Sequence, residues 1–534
     1  MVRSREGGEE AHYCLTSTVT RLLVAVVQIT LTEIFPVSLG EFHNIMSRLL
    51  SFAAAVTTAA AADVSFSIDT SRPQNVVDKR YVCYNIDTGS LFNGLDFADN
   101  KFQTLVAQLG PSIIRIGGTA VDASFYFPDT PYLVGQVNDC ATCGNGASAI
   151  GKEMLTAVFD FIAATDMSLL WDLNGEMARK GTGPWLPAFN FTPMADFLQA
   201  QYGGKIDYAY SVGNEPDLWK INKVGAAQLA RDAVTLVGAL KAYTIGRDVY
   251  GSSFARISPD DATAFLPIAA AGGVTGYTVH NYPYGGHDCN VSAYLQRAPV
   301  TTKLFNSLAA VRAIADASAP SMLLVLEEVA GSSGGGCDNV TDRFVAGFAW
   351  LPTLATVGAA GFHRVHRQDI AGWSFAFGKS NYMLVGPPGW TNGTHDTLTP
   401  HPDYYTTLLW RQLMGQRVLN TTLGGDAAYF FASAWCAAPR APYGAGGSVA
   451  VAWTNQAAAP ARVALPAPLA AAASTAFVLT AGAQPSSDFG SLQADTAYLN
   501  GALLEVDAGG NLPAYPFVGV AAAPAAALTV PPYS

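Results

Sequence analysis

The 534-residue sequence has little charge, few cysteines and no clustered bases. Only 13% of its residues are Asp, Glu, Lys or Arg, the formal net charge is −11, and no Lys/Arg cluster of the kind that tracks phosphates occurs. Nucleic acid is thereby excluded as an expected partner, and tight binding of polyanions is disfavoured. Cys140 and Cys143 form a CxxC, but there is no second one. A local disulfide in a Gly-rich loop is expected there rather than a zinc site. No metal or cofactor is expected: no glycine-rich dinucleotide fingerprint follows the first strand-like segment. The apolar run Leu22 to Phe35 is broken by Gln28 and Glu33, too short and too polar for a membrane span.

Apolar residues, by contrast, make up half the chain. The length exceeds one ordinary core and suggests about two domains, or one large barrel with an appendage. Residues 1–62 read as an N-terminal extension and signal peptide. Met46 begins a basic, then apolar, then small-residue run that ends before Asp63, the pattern of a secretory signal, and translation is expected to start at Met46. Six cysteines follow, an even count that permits disulfides in an oxidising compartment. Sequons occur at Asn190, Asn290, Asn339, Asn392 and Asn420. A secreted, extracellular or lysosome/vacuole-like location is expected, with peripheral membrane or matrix association left open.

Strand-like and helix-like segments alternate through residues 63–417. Candidate strands are 81–86, 112–116, 168–173, 208–213, 248–252, 276–281, 322–327 and 361–366, with amphipathic runs at 154–164, 226–242 and 302–317 between them. Eight such units predict a (β/α)8 TIM barrel, with a doubly wound sheet as the alternative. Residues 418–534 lose helical periodicity and are punctuated by Pro and Gly, which predicts a C-terminal antiparallel β-sandwich. Val64 to Ile68 alternates and is expected to lend that domain a strand from the N-terminal side.

Barrel enzymes place their chemistry at the C-terminal ends of the strands. Here those ends carry Asp87, Arg115 with Gly117, Gly118 and Thr119, Asp172 with Asn174, Asn214-Glu215, His280 to Tyr282, Glu327-Glu328 and His366 to Gln368. Each alone has a bland reading: a satisfied ion pair, a turn, a packed core histidine. Seven polar tips on eight strands are hard to explain as core packing. Glu215 is conspicuous within "AYSVGNEPDLW", because an apolar strand ends there and Pro216 prevents its simple continuation. Carboxylates on the fourth and seventh strands suit glycoside hydrolysis, in which one protonates the leaving oxygen and the other attacks or activates water.

Several stretches between Asp87 and Leu419 resemble the heparanase-like proteins of glycoside hydrolase family 79. They are "IIRIGGTAVD", "SVGNEP", "VHNYPYGG", "LEEVAGSSGGG", "HRQ" and "SNYMLV". The resemblance implies a retaining β-glucuronidase with Glu215 as general acid/base and Glu328 as nucleophile. It implies that Asn214 bonds the sugar 2-hydroxyl, that Tyr282 orients the nucleophile, and that His280 is its neighbour. Asp87 and Thr119 match residues that contact the sugar hydroxyls. Gly335, Gly336 and Tyr382 match the groups that hold the uronic carboxylate. The retaining mechanism expects the two carboxyls about 5–5.5 Å apart. Cys289 and Cys337 fall in neighbouring loops, where a disulfide could brace the Gly triplet. Glu327 is expected to point away from Glu328, to pair with Arg364 or Arg367, and to raise the proton affinity of Glu215. Ala120 stands where the family's animal members would carry Lys, so a glucuronide on a neutral or weakly acidic glycan is favoured over heparan sulfate. The alternatives are another retaining glycosidase of the clan, such as an arabinofuranosidase, and a non-catalytic carbohydrate-binding relative. The sequence leaves the oligomeric state open.

Overall fold

The computed structural model describes residues 62–534 apart from 93–94, 128–147, 180, 204, 245, 247, 287–288, 375–377, 387–397 and 440–446. The signal-like segment, Cys140, Cys143, Asn392 and the Asn190 side chain lie outside the described residues. Asn290, Asn339 and Asn420 sit at exposed positions. No helix among the described residues is long and apolar enough to cross a membrane.

The first strand, β1 (Ala62–Val76), precedes a closed eight-stranded barrel. The barrel strands are β2 (Val82–Asp87), β3 (Ile113–Gly117), β4 (Ser168–Leu173), β5 (Tyr208–Val212), β6 (Val249–Phe254), β7 (Gly276–Asn281), β8 (Leu323–Val329) and β9 (Arg364–Arg367). Each pairs in parallel with its sequence neighbours, and β9 closes on β2. The strands are buried on both faces, so they read as near-continuous apolar runs. Helices α1 (Lys152–Ala164), α2 (Ala226–Leu240), α3 (Leu304–Ser318) and α4 (Gly347–Ala359) are among those that cover the outside. In α1, Leu155, Val158, Phe159 and Ile162 recur at helical spacing and are all buried.

The C-terminal region forms a six-stranded sheet with β10 (Met414–Gly425), β11 (Phe430–Ala437), β12 (Val449–Asn455), β13 (Ala461–Ala464) and β14 (Ala527–Val530). Its order is β12-β11-β10-β1-β13-β14. The sheet is antiparallel except between β1 and β13, which run parallel. Smaller sheets of two and three strands complete this region. Trp435 of β11 ties the two regions together, packing on Trp410 at 5.0 Å and Tyr81 at 5.5 Å between ring centroids. Gly358 at the end of α4 makes room for it: a Cβ there would meet the Trp435 ring at 2.6 Å.

Candidate active site

Arg115, wholly buried on β3, organises the barrel mouth. Its Nη1 donates to Glu328 Oε2 at 2.7 Å, and its Nη2 donates to Asn214 Oδ1 at 2.7 Å. Asp172 Oδ2 lies 2.5 Å from the same Nη2, and Glu327 Oε2 lies 3.7 Å from Nε. A buried guanidinium is tolerated because several carboxylates and an amide oxygen share its charge. The Gly117-Gly118 pair is required by this layer of side chains. A Cβ on Gly117 would sit 2.5 Å from both Arg115 Cζ and Asp172 Oδ2, and one on Gly118 would sit 2.4 Å from Asp87 Oδ2.

Glu215 stands where β5 breaks. Gly213 has φ +83° and Glu215 itself φ +48°, a conformation uncommon for a residue with a side chain. The Glu215 N–H donates to Ser253 O at 2.9 Å and holds the turn. Asn214 N–H and the Trp219 indole N–H both donate to buried Asp122 Oδ2, at 3.0 and 2.8 Å. The Glu215 carboxyl is partly exposed, and its Oε1 lies 3.1 Å from His280 Nδ1. Burial raises its proton affinity, the Glu328 charge adds to that, and the His280 hydrogen bond only partly opposes it.

Glu328 titrates in the opposite direction. Tyr282 OH donates to its Oε1 at 2.5 Å, and Arg115 serves its Oε2. Burial alone would raise its pKa, but the charges of His280 and Arg115 and the tyrosine hydrogen bond bring it below the ordinary carboxylate value. His280 is buried, which disfavours its cation, yet the surrounding carboxylates push it up to about 10. Oxygens of Glu215 and Glu328 and a ring nitrogen of His280 all lie within 4.8 Å of one another. The same three groups are those best placed among the described residues to receive a metal ion. Their chemistry fits one poorly, since a protonated imidazole has no lone pair to give.

Glu327 overturns one expectation. It does not pair with Arg364 or Arg367. Arg364 donates to Tyr250 OH at 2.6 Å and Asp78 at 2.9 Å, and Arg367 donates to Asp403 at 2.5 Å. Nor does Glu327 turn away from the barrel interior. On β8 the register against β7 steps from Leu326↔Val279 to Glu328↔His280, so Glu327 is the extra residue of a β-bulge. The bulge cancels the strand's alternation and leaves both carboxyls facing inward. Ser253 Oγ donates to Glu327 Oε2 at 2.5 Å, and Arg115 and His280 flank the same oxygen. These partners hold its pKa down at about 2 against the effect of burial. Burial and the charges of Glu328 and Asp217 account for the raised Glu215, so no influence of Glu327 on it is needed.

The sugar-contact candidates gather beside Glu328. Tyr382 stacks on Tyr282 with ring centroids 6.3 Å apart and feels the charges of Asp369, Glu328 and Asp87. Asp87 accepts from Gly89 N–H at 2.8 Å, and burial pushes its pKa up to about 8. Thr119 opens a short 3-10 helix, Thr119–Ala123, directly after Gly118. Gly334, Gly335 and Gly336 all have positive φ, from +66° to +87°, which residues with side chains rarely adopt. The Asn381 N–H donates to Gly335 O at 2.6 Å, and a Cβ on Gly336 would collide with Thr341 Oγ1 at 2.5 Å.

A disulfide joins Cys289 to Cys337, next to Gly336, with Cα atoms 5.3 Å apart. Replacing both cysteines by Ser should cost about 2–4 kcal/mol of stability. If the bridge braces the triplet, the same variant should raise KM for a uronide more than it lowers kcat. Calorimetry with parallel kinetics checks this, and unchanged KM would separate the bridge from the site.

Asp369 was not foreseen. It lies one residue beyond the tip His366 to Gln368, accepts from Ser380 Oγ at 2.9 Å, and is pushed up to about 7 by burial. Its place after a run of polar residues was the only available signal. Conversely, Asn174 serves the backbone, since its Oδ1 accepts from Met177 N–H at 2.8 Å and Ala178 N–H at 3.2 Å. His366 lies 3.2 Å from Asn85 Oδ1 and is lowered to about 3 by burial.

No family model matches the chain. It is 23% identical over 386 residues to the heparanase of Gallus gallus, covering 64% of this chain and 70% of that protein. It is 25% identical over 359 residues to the hyaluronoglucuronidase of Hirudo nipponia, covering 62% and 68%. Among solved structures it resembles a 4-O-α-L-rhamnosyl-β-D-glucuronidase from Fusarium oxysporum. The TM-score is 0.63 at 14% identity, over 88% of this chain and 98% of the other.

Proposed function

The chain is a relative of the heparanase-like proteins of glycoside hydrolase family 79, and from that premise we propose that it is a retaining glycosidase that cleaves β-glucuronidic bonds in glycans. The observation that carries the reading is the meeting of Glu215 and Glu328 across the barrel mouth with opposite proton affinities. In the first step the Glu215 proton passes to the glycosidic oxygen, the C1–O bond breaks with its electron pair going to the leaving group, and Glu328 bonds to C1. In the second step water adds to C1 and gives a proton to Glu215, and the bond to Glu328 breaks.

Asn214, fixed by Arg115, is placed to bond the sugar 2-hydroxyl, and Tyr282 fixes the attacking oxygen of Glu328. Asp87 and Thr119 complete the sugar pocket, and His280 lies behind Glu215 and Glu328. Gly335, Gly336 and Tyr382 would hold the uronic carboxylate with neutral donors, which recognise the charge without overstabilising the ground state. The paucity of basic clusters favours a neutral or weakly acidic glycan. A panel of purified protein with 4-nitrophenyl β-glucuronide, β-glucoside, β-xyloside and α-arabinofuranoside tests the reading. Preference for the glucuronide by at least about 10³-fold is expected, beyond what a missing apolar group alone produces. Preference for the arabinofuranoside would replace this reading with the other clan activity.

A further inference from the structure

We propose that Glu327 is a positioning residue, a fixed counter-ion on the far side of His280 that keeps Nδ1 of the imidazole a hydrogen-bond donor to Glu215, so that the Glu215 proton stays turned towards the leaving oxygen. This rests on the reading of Glu215 as acid/base and Glu328 as nucleophile.

The geometry is specific. The His280 ring is fully buried between two sets of carboxyls. Nδ1 faces the reacting pair, 3.1 Å from Glu215 Oε1 and 3.6 Å from Glu328 Oε2. Nε2 faces Glu327 Oε2 at 3.7 Å and has no hydrogen-bond partner. Without Glu327, Arg115 and an imidazolium would share Glu328 and Asp172 alone, and the ring would gain by shedding a proton. A neutral ring with a bare Nδ1 would then accept a hydrogen bond from protonated Glu215 and turn its proton away from the leaving oxygen. With Glu327 ionised behind it, Nδ1 carries a hydrogen throughout and can only donate.

The catalytic cycle makes that arrangement matter most after the first step. Glu328 is then an ester and has lost its charge. Of the groups that face His280, Arg115 repels its charge, Glu215 must be free to exchange a proton, and Glu327 alone is a constant anion. The imidazolium therefore stays available to support ionised Glu215 as the base for water. The β8 bulge is what brings a second carboxyl to the barrel interior, and Ser253 Oγ orients it.

The experiment uses histidine labelled with nitrogen-15 in the full chain, with the His280 signal assigned by its loss in His280→Gln. In the parent protein both ring nitrogens should remain protonated at pH 8. In Glu327→Gln the ring should become neutral at a pH lower by about 1–3 units, the usual effect of an opposite charge at this range. Glu327→Asp should restore most of the shift. Kinetics then separate positioning from damage. For an alkyl glucuronide, which needs the acid, Glu327→Gln should lose about 10²-fold in kcat/KM at a pH between the ring's transitions in variant and parent, and little below both. For a dinitrophenyl glucuronide it should keep kcat/KM within about fivefold, since that leaving group hardly needs a proton, while kcat, which then reports the second step, should fall. Equal losses of kcat/KM on both substrates, or a His280 already neutral at pH 8 in the parent protein, would overturn the proposal. The parent measurement requires no activity, so it fails independently of the glycosidase reading. Inertness of the parent towards every glucuronide would overturn that reading instead.

Discussion

Glu328→Gly is expected to lose turnover of an aryl β-glucuronide by roughly 10⁴–10⁶-fold, the scale reached when a covalent nucleophile is deleted. The side chain is the partner of both Tyr282 and Arg115, and nothing nearby replaces it: Glu327 is held by Ser253 on the other side of Arg115. The cavity left by Glu328 would lie on the α face of the sugar. Azide admitted there should attack C1 while the aryl group leaves, giving an α-glucuronosyl azide and recovering part of the rate. The product is read by proton NMR of its anomeric signal. A β-glucuronosyl azide, or activity that survives in Glu328→Gly but is lost in Glu327→Gly, would move the nucleophile to another residue.

Glu215→Ala should remove the alkaline limb of the pH–rate profile. Glu215 is active while protonated, so kcat/KM should fall as pH rises through its raised pKa. Glu328 is active while ionised, so kcat/KM should fall at low pH, below the ordinary carboxylate range. The parent profile is therefore a bell displaced to both sides of pH 4.5, the ordinary value of both groups. Removing the acid should cost about 10²–10⁴-fold on an alkyl glucuronide and little in the first step on a dinitrophenyl one. Azide should now give the β-glucuronosyl azide from the covalent intermediate, because the vacated side is the leaving-group side. An alkaline limb that persists unchanged in Glu215→Ala would assign the acid elsewhere.

The barrel was legible because seven of the eight strands announced themselves twice, by an apolar run and by polar residues at or just past the end. Val82–Asp87, Tyr208–Val212 and Gly276–Asn281 show this directly. Glu215 was legible because Pro216 forces a break where a side chain must stay fixed. What failed was local alternation. A bulge depends on the register of β7 against β8, which no single segment encodes, so Glu327 was expected on the wrong side. Its partners were missed for the same reason. Arg364 sits opposite Val325 on β8 and reaches Asp78 and Tyr250, while Arg367 reaches out to Asp403 on the helix Pro402–Leu413. Asp369 was hidden because it follows the last barrel strand, and its partner Ser380 comes from a later segment. The parallel pairing of β1 with β13 joins segments at opposite ends of the chain, beyond the reach of any pattern in either.

That pairing bears on how the molecule is made. β1 is the first described strand to be synthesised, and it lies inside the C-terminal sheet, between β10 and β13. Val64 waits for Gly425 on one side and for Val463 on the other. At translation rates of about 5–20 residues per second, more than about 18 s pass before the first of these partners is made. Throughout that interval β1 has two unpaired edges and an apolar face, Val64 and Phe66, that ends up in the core of the sheet. The eight barrel strands need nothing from beyond residue 367 to close their hydrogen-bonded ring, so the barrel can form around a tethered, unsatisfied strand. The last segments of the chain then act as a latch on the first. A nascent chain stopped short of β10 would carry an exposed strand edge into a crowded compartment, which makes premature termination an aggregation hazard and not merely a loss of the second domain.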